Sequence, residues 1–381
     1  MLNTAKINVK NQDLLGAIRG FFKNILGKED ISAILAPWRP PTKKMVMPTL
    51  VTDPDLLDTV DPLSPAFPMN SAKIVSRLTR KPSGENIAAV MRPCEIRAFV
   101  ELVKLKQAST EGLILIGVDC LGALGNRDYL SWAGESGDEG TKKFTEQVLS
   151  GKTADTDDIK LTQACRSCEQ PVAEGADIGV GLFGVDTRQQ ILVQALTDKG
   201  NHLMEDLDLE AAEEPASRWK EIDRMILERT TFRDNMFAEV GDDIRSVEKL
   251  STYLAGCVNC YNCRVACPVC YCRECVFVTD VFDHEPSQYL RWARNKGAVK
   301  MPTDTLLYHI TRLTHMSTAC VGCGQCTNAC PNDIPVMPLF RTIASKTQQA
   351  FDYEAGRDLE EKPPLSEFKE DEFAEIVGLN N

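Results

Sequence analysis

The 381-residue sequence lacks the features of a secreted, membrane-embedded or nucleic-acid-binding protein. Residues 1–10 are polar and contain no apolar signal core. The longest apolar run, Leu113 to Val118, is far too short to span a bilayer. Acidic residues outnumber basic ones, and the formal net charge of −12 argues against a nucleic-acid surface or an anionic membrane. These absences predict a cytoplasmic protein that inserts into no membrane and binds no nucleic acid.

A convincing dinucleotide fingerprint is also missing. The stretch Gly179-Val-Gly181-Leu-Phe-Gly184 has the letters G-x-G-x-x-G, but no clear strand pattern precedes it. The residues that follow, 190–196, favour a strand, whereas a Rossmann turn would lead into a helix. We therefore interpret Gly179, Gly181 and Gly184, with the nearby Asp177, as candidates for a close backbone approach to a cofactor.

Cysteine, in contrast, is abundant. The chain has 15 cysteines and no secretion signal, which indicates metal binding in a reducing cytoplasm and sensitivity to oxygen. Eight of them form two copies of the spacing C-x2-C-x2-C-x3-C-P, which bacterial two-cluster ferredoxins use. Zinc ribbons, the main alternative, use pairs of C-x2-C. In such ferredoxins the first three thiolates bind one [4Fe–4S] cluster and the fourth binds the partner cluster. The predicted ligand sets are Cys257, Cys260, Cys263 and Cys330 for one cluster, and Cys320, Cys323, Cys326 and Cys267 for the other.

A third ligand set follows from an α/β unit near residue 90. Residues 86–91 and 112–119 are apolar strand patterns, and a helical pattern between them begins after Arg92-Pro93. A unit of this length normally places its strands in parallel, so Cys94 and Cys120 are expected just beyond two adjacent carboxyl ends. The isolated C-x2-C of Cys165 and Cys168 completes four thiolates, the number that one cluster needs.

The three remaining cysteines, Cys270, Cys272 and Cys275, follow directly after the first ferredoxin motif. Their density favours metal over free thiols. A fourth cluster would need a non-cysteine ligand or a different sharing of thiolates. The nearby candidates for such a ligand are His284, His309 and His315.

The predicted fold class is an α/β N-terminal domain with a short parallel sheet, followed by a two-[4Fe–4S] ferredoxin-like α-helical domain. The expected division is 1–248 for the α/β domain, 249–345 for the iron–sulfur domain with an insert, and 346–381 for an acidic docking tail. Helices are expected at 11–26, within 207–250, at 288–293, 304–313 and 334–351, and strands at 31–35 and 45–51. Residues 134–158 are expected to form an exposed excursion.

Several of these residues occur together in one known family. Arg92-Pro-Cys-Glu-Ile-Arg-Ala, Gly117-Val-Asp-Cys120 and the Cys165–Cys168 pair resemble the coenzyme F420 hydrogenase/dehydrogenase beta-subunit family. Within it, the stretch from Cys267 to Cys275 is similar to formate dehydrogenase beta subunits. The C-terminal part also resembles iron–sulfur subunits of heterodisulfide-reductase-type complexes.

The resemblance implies an electron-transferring subunit with FAD and several [4Fe–4S] clusters. Its implied partner is a catalytic molybdenum or tungsten formate dehydrogenase subunit or a hydrogenase subunit, and F420 or a heterodisulfide-reductase-type subunit is the implied acceptor. It also implies that Cys94, Cys120, Cys165 and Cys168 bind the flavin-proximal cluster.

One departure leaves alternatives open. Flavin-binding members of the family carry Ser-Gly-Gly at the head of the first helix, where this chain has Gln12-Asp-Leu-Leu-Gly16-Ala. One hypothesis is a subunit that retains FAD and converts two-electron to one-electron transfer. Another is a flavin-free iron–sulfur adaptor between a dehydrogenase and a heterodisulfide-reductase-like complex. A standalone F420- or NAD-dependent oxidoreductase is the weakest hypothesis, since no substrate site is evident.

Overall fold

The structure is a computed structural model that describes residues 4–41, 45–133, 137–151 and 160–366. Its strands form one eight-stranded sheet in the order β3-β2-β4-β5-β6-β7-β1-β8. The strands are β1 Thr4–Asn8, β2 Ile31–Trp38, β3 Met47–Val51, β4 Asn86–Met91, β5 Leu113–Val118, β6 Ile178–Gly181, β7 Gln190–Ala195 and β8 Glu210–Ala211.

Helices flank this sheet and make up the C-terminal part. They are α1 Leu14–Leu26, α2 Ala72–Thr79, α3 Pro93–Lys104, α4 Asn126–Ala133, α5 Gly137–Leu149, α6 Gln163–Arg166, α7 Asp198–Asp206, α8 Ala216–Asp243, α9 Val247–Tyr253, α10 Asn262–Ala266, α11 Pro286–Lys296, α12 Thr305–Met316, α13 Gln325–Asn328 and α14 Val336–Ala350. No described helix combines the length and the apolar composition needed to cross a bilayer.

The sheet is mixed, so the predicted short parallel sheet is only partly right. Strands β2, β4, β5 and β6 are parallel to one another. Strands β3, β7, β1 and β8 are antiparallel to their neighbours. The reason is the length of the connections: β3 follows β2, and β7 follows β6, after fewer than ten residues. Such short links return the chain antiparallel, whereas parallel pairing needs a longer crossover.

The central strands are buried on both faces, which explains their continuous apolar sequences. Because side chains alternate along a strand, Ala88 and Val90 of β4 share a core with Phe22 of α1. Ala89 and Met91 pack on the opposite face in a core that contains Phe99 of α3.

The core on the α3 face continues into the cysteine-rich part. It includes Tyr308 of α12 and Leu339 of α14, both fully buried, together with Phe99. The described residues from 249 to 345 contain most of α9, helices α10 to α13 and most of α14, and the helices expected in the insert are α11 and α12. The predicted boundary at 248 falls within α9, and the one at 345 falls within α14.

The expected excursion at 134–158 is wrong for its central part. Residues 137–149 form α5, which buries Phe144 and Val148 in a core with Tyr129 and Met225. The apolar side chains are spaced four residues apart within a very polar sequence, so they still make one buried stripe. Residues 134–136 and 152–158 of the expected excursion lie outside the described residues.

The predicted docking tail contacts its own chain. Residues 346–350 complete α14, and the segment after it lies on α3. Tyr353 Oη donates a 2.6 Å hydrogen bond to Glu101 Oε1, and the Gly356 amide donates to the same oxygen at 2.7 Å. Arg97 Nη2 donates to the Ala355 carbonyl at 2.8 Å. The rest of the predicted tail, residues 367–381, lies outside the described residues.

Candidate iron–sulfur centres

The first ferredoxin set lies around one cavity. Cys257, Cys260, Cys263 and Cys330 all line it, although Cys330 comes from the second motif. Its remaining wall is largely apolar and includes Tyr261, Tyr308, His309, Ile334 and Val336. Four thiols around a mainly apolar cavity fit the ligand chemistry of a [4Fe–4S] cluster.

Helix α12 supplies polar groups to the sulfur atoms of this set. Tyr308 Oη lies 3.3 Å from Cys263 Sγ, and Arg312 Nη1 donates to the same sulfur at 3.1 Å. His309 Nε2 lies 3.4 Å from Cys257 Sγ. Burial, helped by Arg312 and Lys300, lowers the pKa of His309 to about 4, so its imidazole is neutral near pH 7. Hydrogen bonds to cluster sulfurs tune reduction potential, so this helix face would tune a cluster held by these thiols.

The second ferredoxin set combines the 320–326 loop with Cys267. Burial raises the pKa of Cys320, Cys323 and Cys326, and for each of them the Cys267 thiol is the next largest cause. Cys267 is therefore electrostatically close to all three thiols, although more than fifty residues separate it from them in sequence.

The third set lies at the carboxyl edge of the parallel strands. Cys94 is the second residue of α3, directly after β4, and Cys120 follows the adjacent parallel strand β5. Burial raises the pKa of Cys120 to about 11 against the lowering effect of Arg92, and both Cys165 and Cys168 contribute to the rise. The Ala123 amide donates to Cys165 Sγ at 3.2 Å. The sheet edge thus carries the four thiols that the sequence grouped together.

The second and third sets are neighbours. After burial, the thiols of Cys120 and Cys323 are the largest causes that raise the pKa of Cys94. Helix α13, which contains Cys326, is tied to the sheet edge, because Gln325 Nε2 donates to the Phe67 carbonyl at 2.9 Å. In addition, Asn328 Oδ1 accepts a 2.9 Å hydrogen bond from the Asn126 amide.

The three further cysteines lie beside the first motif. Burial raises the pKa of Cys270 to about 11, and the thiols of Cys267 and Cys272 contribute to the rise. Cys272 is exposed, and Cys275 is partly buried. Of the candidate histidine ligands, His309 contacts Cys257, His284 packs against Tyr289 and Trp292, and His315 is exposed. Among the described residues, no three His, Cys, Asp or Glu side chains converge as ligands of a single metal ion.

The glycine stretch at 179–184 approaches protein atoms. Gly179 and Gly181 lie in β6, so they form no Rossmann turn. A Cβ on Gly181 would stand 2.9 Å from Arg218 Nη1, and one on Gly184 would stand 2.4 Å from Arg218 Cα. Asp177 Oδ2 accepts from the Leu115 amide at 2.8 Å. Contacts within the chain account for these residues, and their role as cofactor ligands stays a prediction.

Three arginines beside the candidate ligand cysteines were not predicted from the sequence, because their partners are distant along the chain. Arg218 makes a two-point ion pair with buried Asp119, at 2.6 and 3.1 Å, next to Cys120. Arg341 donates to Ser167 Oγ at 2.8 Å and also pairs with Glu169, beside Cys168. Arg312 contacts Cys263 as described above. For Arg312 alone, the sequence contained a signal: the helical spacing in α12 puts Tyr308 and Arg312 on one face.

A larger cleft opens at the head of α1. Its volume is about 460 Å³, within the range of small-molecule sites, and its wall includes Gln12, Asp13, Arg19 and Arg188. Leu63 borders both this cleft and a small cavity lined by Arg92 and Cys120. The cleft therefore lies near the third cysteine set.

Comparison with known proteins agrees with the cysteine pattern. Residues 84–217 match the family model for the C terminus of the coenzyme F420 hydrogenase/dehydrogenase beta subunit, and residues 269–335 match a 4Fe-4S dicluster domain. The F420-dependent formate dehydrogenase subunit beta of Methanocaldococcus jannaschii is 27% identical over 375 residues, covering 92% of this chain and 93% of that protein.

Two further similarities were found. The F420-dependent formate dehydrogenase 1 subunit beta of Methanococcus maripaludis is 28% identical over 385 residues, covering 92% of each chain. A chain of the F420-reducing [NiFe] hydrogenase complex from Methanosarcina barkeri superposes over 65% of this chain and 94% of its own, with a TM-score of 0.44 and 13% identity. The family model and the two curated relatives confirm the resemblance, seen in the sequence, to the coenzyme F420 hydrogenase/dehydrogenase beta-subunit family.

Proposed function

We propose that this protein is the electron-transfer beta subunit of an F420-dependent formate dehydrogenase or a related hydrogenase complex. The observation that carries the proposal is the succession of three cysteine sets. The set at the sheet edge adjoins the Cys320–Cys326 loop, and Cys267 and Cys330 link that loop to the Cys257–Cys263 motif. Electrons would pass along these sets between a catalytic subunit and an acceptor.

Bound [4Fe–4S] clusters would supply one-electron transfer, and the chain would set their spacing and environment. The protein's own part is visible in its side chains. The side chains of Cys320, Cys323 and Cys326 are partly buried by the protein, which limits access of water and oxygen. Arg312 and Tyr308 approach Cys263. We propose the twelve cysteines of the three sets as metal ligands on these grounds, and Cys270, Cys272 and Cys275 as ligands only of a fourth cluster.

We further propose that FAD occupies the cleft at the head of α1. The cleft is of suitable size, and it lies near Cys120 through their shared neighbour Leu63. A flavin there would exchange hydride with F420 and single electrons with the adjacent cluster. The names of the two curated relatives support formate and F420 as donor and acceptor, while a heterodisulfide-reductase-type subunit is the other acceptor implied by the C-terminal resemblance.

The test is purification of the native complex under anaerobic conditions, followed by iron, flavin and subunit analysis. We expect about twelve irons per chain for three clusters, one FAD released by acid, and a co-purifying catalytic subunit. Full iron content without any co-purifying dehydrogenase or hydrogenase subunit would contradict the beta-subunit assignment.

A second candidate function, the flavin-free adaptor, is favoured by one specific observation. Asp13 caps α1, and its Oδ1 accepts a 2.9 Å hydrogen bond from the Gly16 amide. A Cβ on Gly16 would stand 2.2 Å from Asp13 Oδ2, so this carboxylate covers the helix terminus. A negative charge there opposes binding of a flavin pyrophosphate, which would use the same amides. Absence of flavin from a fully iron-loaded complex would select the adaptor.

A fourth cluster remains a separate proposal. The dicluster match begins at residue 269, so it contains Cys270, Cys272 and Cys275 and the motif at 320–330, but not Cys257 to Cys267. An iron content of about sixteen per chain, where three clusters give about twelve, would support a fourth cluster at these cysteines.

A further inference from the structure

Arg312 is a buried arginine whose guanidinium contacts a predicted cluster ligand directly. The residue is 4% exposed. Its Nη1 donates to Cys263 Sγ at 3.1 Å, and its Nη2 donates to the Cys263 carbonyl at 3.2 Å. The guanidinium carbon lies 4.7 Å from the centre of the Phe340 ring and 5.7 Å from that of Tyr308. Two aromatic rings and the backbone thus fix the charge in one position.

This position is shared by the two ferredoxin sets. Cys263 belongs to the first set and lies in α10, and Cys267, which belongs to the second set, ends the same helix. Four residues of helix separate their Cα atoms by only about 6 Å along the axis. A cation held at Cys263 is therefore also close to the second set. Consistently, the thiols of Cys263, Cys267 and Cys326 raise the pKa of Arg312 against the lowering effect of burial.

The surroundings keep the charge effective. A protein interior screens charges less than water does, so a buried cation acts over a longer distance than an exposed one. The Nε atom of Arg312 has no hydrogen-bond partner among the described residues. The two terminal nitrogens of the guanidinium, Nη1 and Nη2, both donate to Cys263.

We propose that Arg312 is a positioning residue that raises the reduction potentials of both ferredoxin-type clusters. Each cluster gains one negative charge when it accepts an electron, and a nearby buried cation stabilises that reduced state. The hydrogen bond to Cys263 Sγ adds a further stabilisation for the first set alone.

The inference rests on the proposed iron–sulfur relay, and the experiment separates the two. Clusters in the native-sequence complex are titrated anaerobically with a chemical reductant and followed by electron paramagnetic resonance, with iron analysis of each sample. Absence of cluster signals in the unmutated complex would defeat the relay itself. Signals that are present but insensitive to Arg312 would defeat only the present inference.

The main variant is Arg312→Gln, which removes the charge and keeps a polar side chain. We expect the equilibrium constant for reduction of both ferredoxin-type clusters to fall at least tenfold, which is 59 mV toward more negative potential for a one-electron couple. Arg294→Gln removes an exposed arginine on α11 and serves as the control, with no shift expected. Full iron content with no shift, or with a shift of only one cluster, would overturn the proposal.

Arg312→Lys keeps the proposal testable if the glutamine variant loses iron. Lysine retains the charge but cannot make the two-point contact with Cys263. We expect iron to be retained, and the equilibrium constants for reduction of the two ferredoxin-type clusters to change less than tenfold. A tenfold or larger fall for both clusters in this variant would mean that charge is not the cause. Loss of iron from both variants would assign Arg312 to holding the clusters in place, and would also overturn the proposal.

Discussion

Gly324 lies directly against Ala164, so closely that no side chain fits between them. A Cβ on Gly324 would stand 2.5 Å from the Ala164 Cβ. Gly324 lies between Cys323 and Cys326 of the second set, and Ala164 precedes Cys165 of the third set. This close contact brings the ferredoxin loop against α6, and it explains how two cysteine sets from different parts of the chain become neighbours.

Replacing Gly324 with alanine should therefore weaken the contact between the two sets. Gly324 has a φ of +81°, so alanine costs about 1–2 kcal/mol of backbone strain. The collision with Ala164 should add about 1–3 kcal/mol of overpacking. Gly297→Ala is the matched control, because Gly297 has a φ of +79° and open space around it. Equal losses of unfolding free energy in anaerobic denaturation of the two variants would show that the contact does not matter.

The third cysteine set should hold one cluster. Cys165→Ser replaces a thiolate that accepts a hydrogen bond from the Ala123 amide, and serine is a poor substitute for a thiolate at iron. We expect iron in the purified protein to fall by about four per chain, which is one [4Fe–4S] cluster. Ser251→Ala, at an exposed position on α9, is the control and should leave iron unchanged. Unchanged iron in Cys165→Ser would contradict this ligand set.

Cys272 should be dispensable for iron binding. Its side chain is exposed, while twelve other cysteines form three complete predicted sets of four. We expect Cys272→Ser to retain about twelve irons per chain, the content of three clusters. A fall of about four irons in this variant would instead establish a fourth cluster at the 270–275 segment.

The buried Asp119–Arg218 pair should contribute strongly to stability. Asp119 also accepts hydrogen bonds from the amides of Leu182 and Phe183, at 2.8 and 3.1 Å. Removing one partner of such a pair leaves a buried charge and costs about 3–5 kcal/mol. We expect Arg218→Met to lose that much unfolding free energy. Arg224→Met breaks a half-exposed pair with Glu221 and should cost about 0–1 kcal/mol. Similar losses of unfolding free energy in the two variants would mean that burial does not make the Asp119–Arg218 pair more important.

The segment after α14 should stabilise the α/β domain. Tyr353→Phe removes the hydrogen bond to Glu101, a buried carboxylate that Lys104 also contacts at 2.8 Å. A hydrogen bond to a charged group contributes about 1.5–3 kcal/mol, and we expect that loss in unfolding free energy. Tyr271→Phe, at an exposed position, is the control. No difference between the two variants would mean that the segment does not dock in solution as it does in the structure.

The sequence predicted local features well and distant ones poorly. Strand β4, helix α3 and strand β5 follow directly from apolar periodicity and the Arg92-Pro93 break, and the structure confirms them. The prediction of an exposed excursion was wrong for residues 137–149, because the many polar residues there hid the buried pair Phe144 and Val148. The prediction of a parallel sheet was only partly right, because short connections at the edges of the sheet make antiparallel pairs.

By itself, the sequence indicated iron–sulfur chemistry and the resemblance to the family. Cysteine spacing constrains which thiolates can reach one cluster, because a few residues of chain allow only a few geometries. Only the tertiary structure decided which cysteine sets are neighbours, that Arg312 is buried against Cys263, and that Tyr353 docks on α3. Those contacts join residues far apart in the chain, and they form only when the helices pack on the sheet, so no local pattern encodes them.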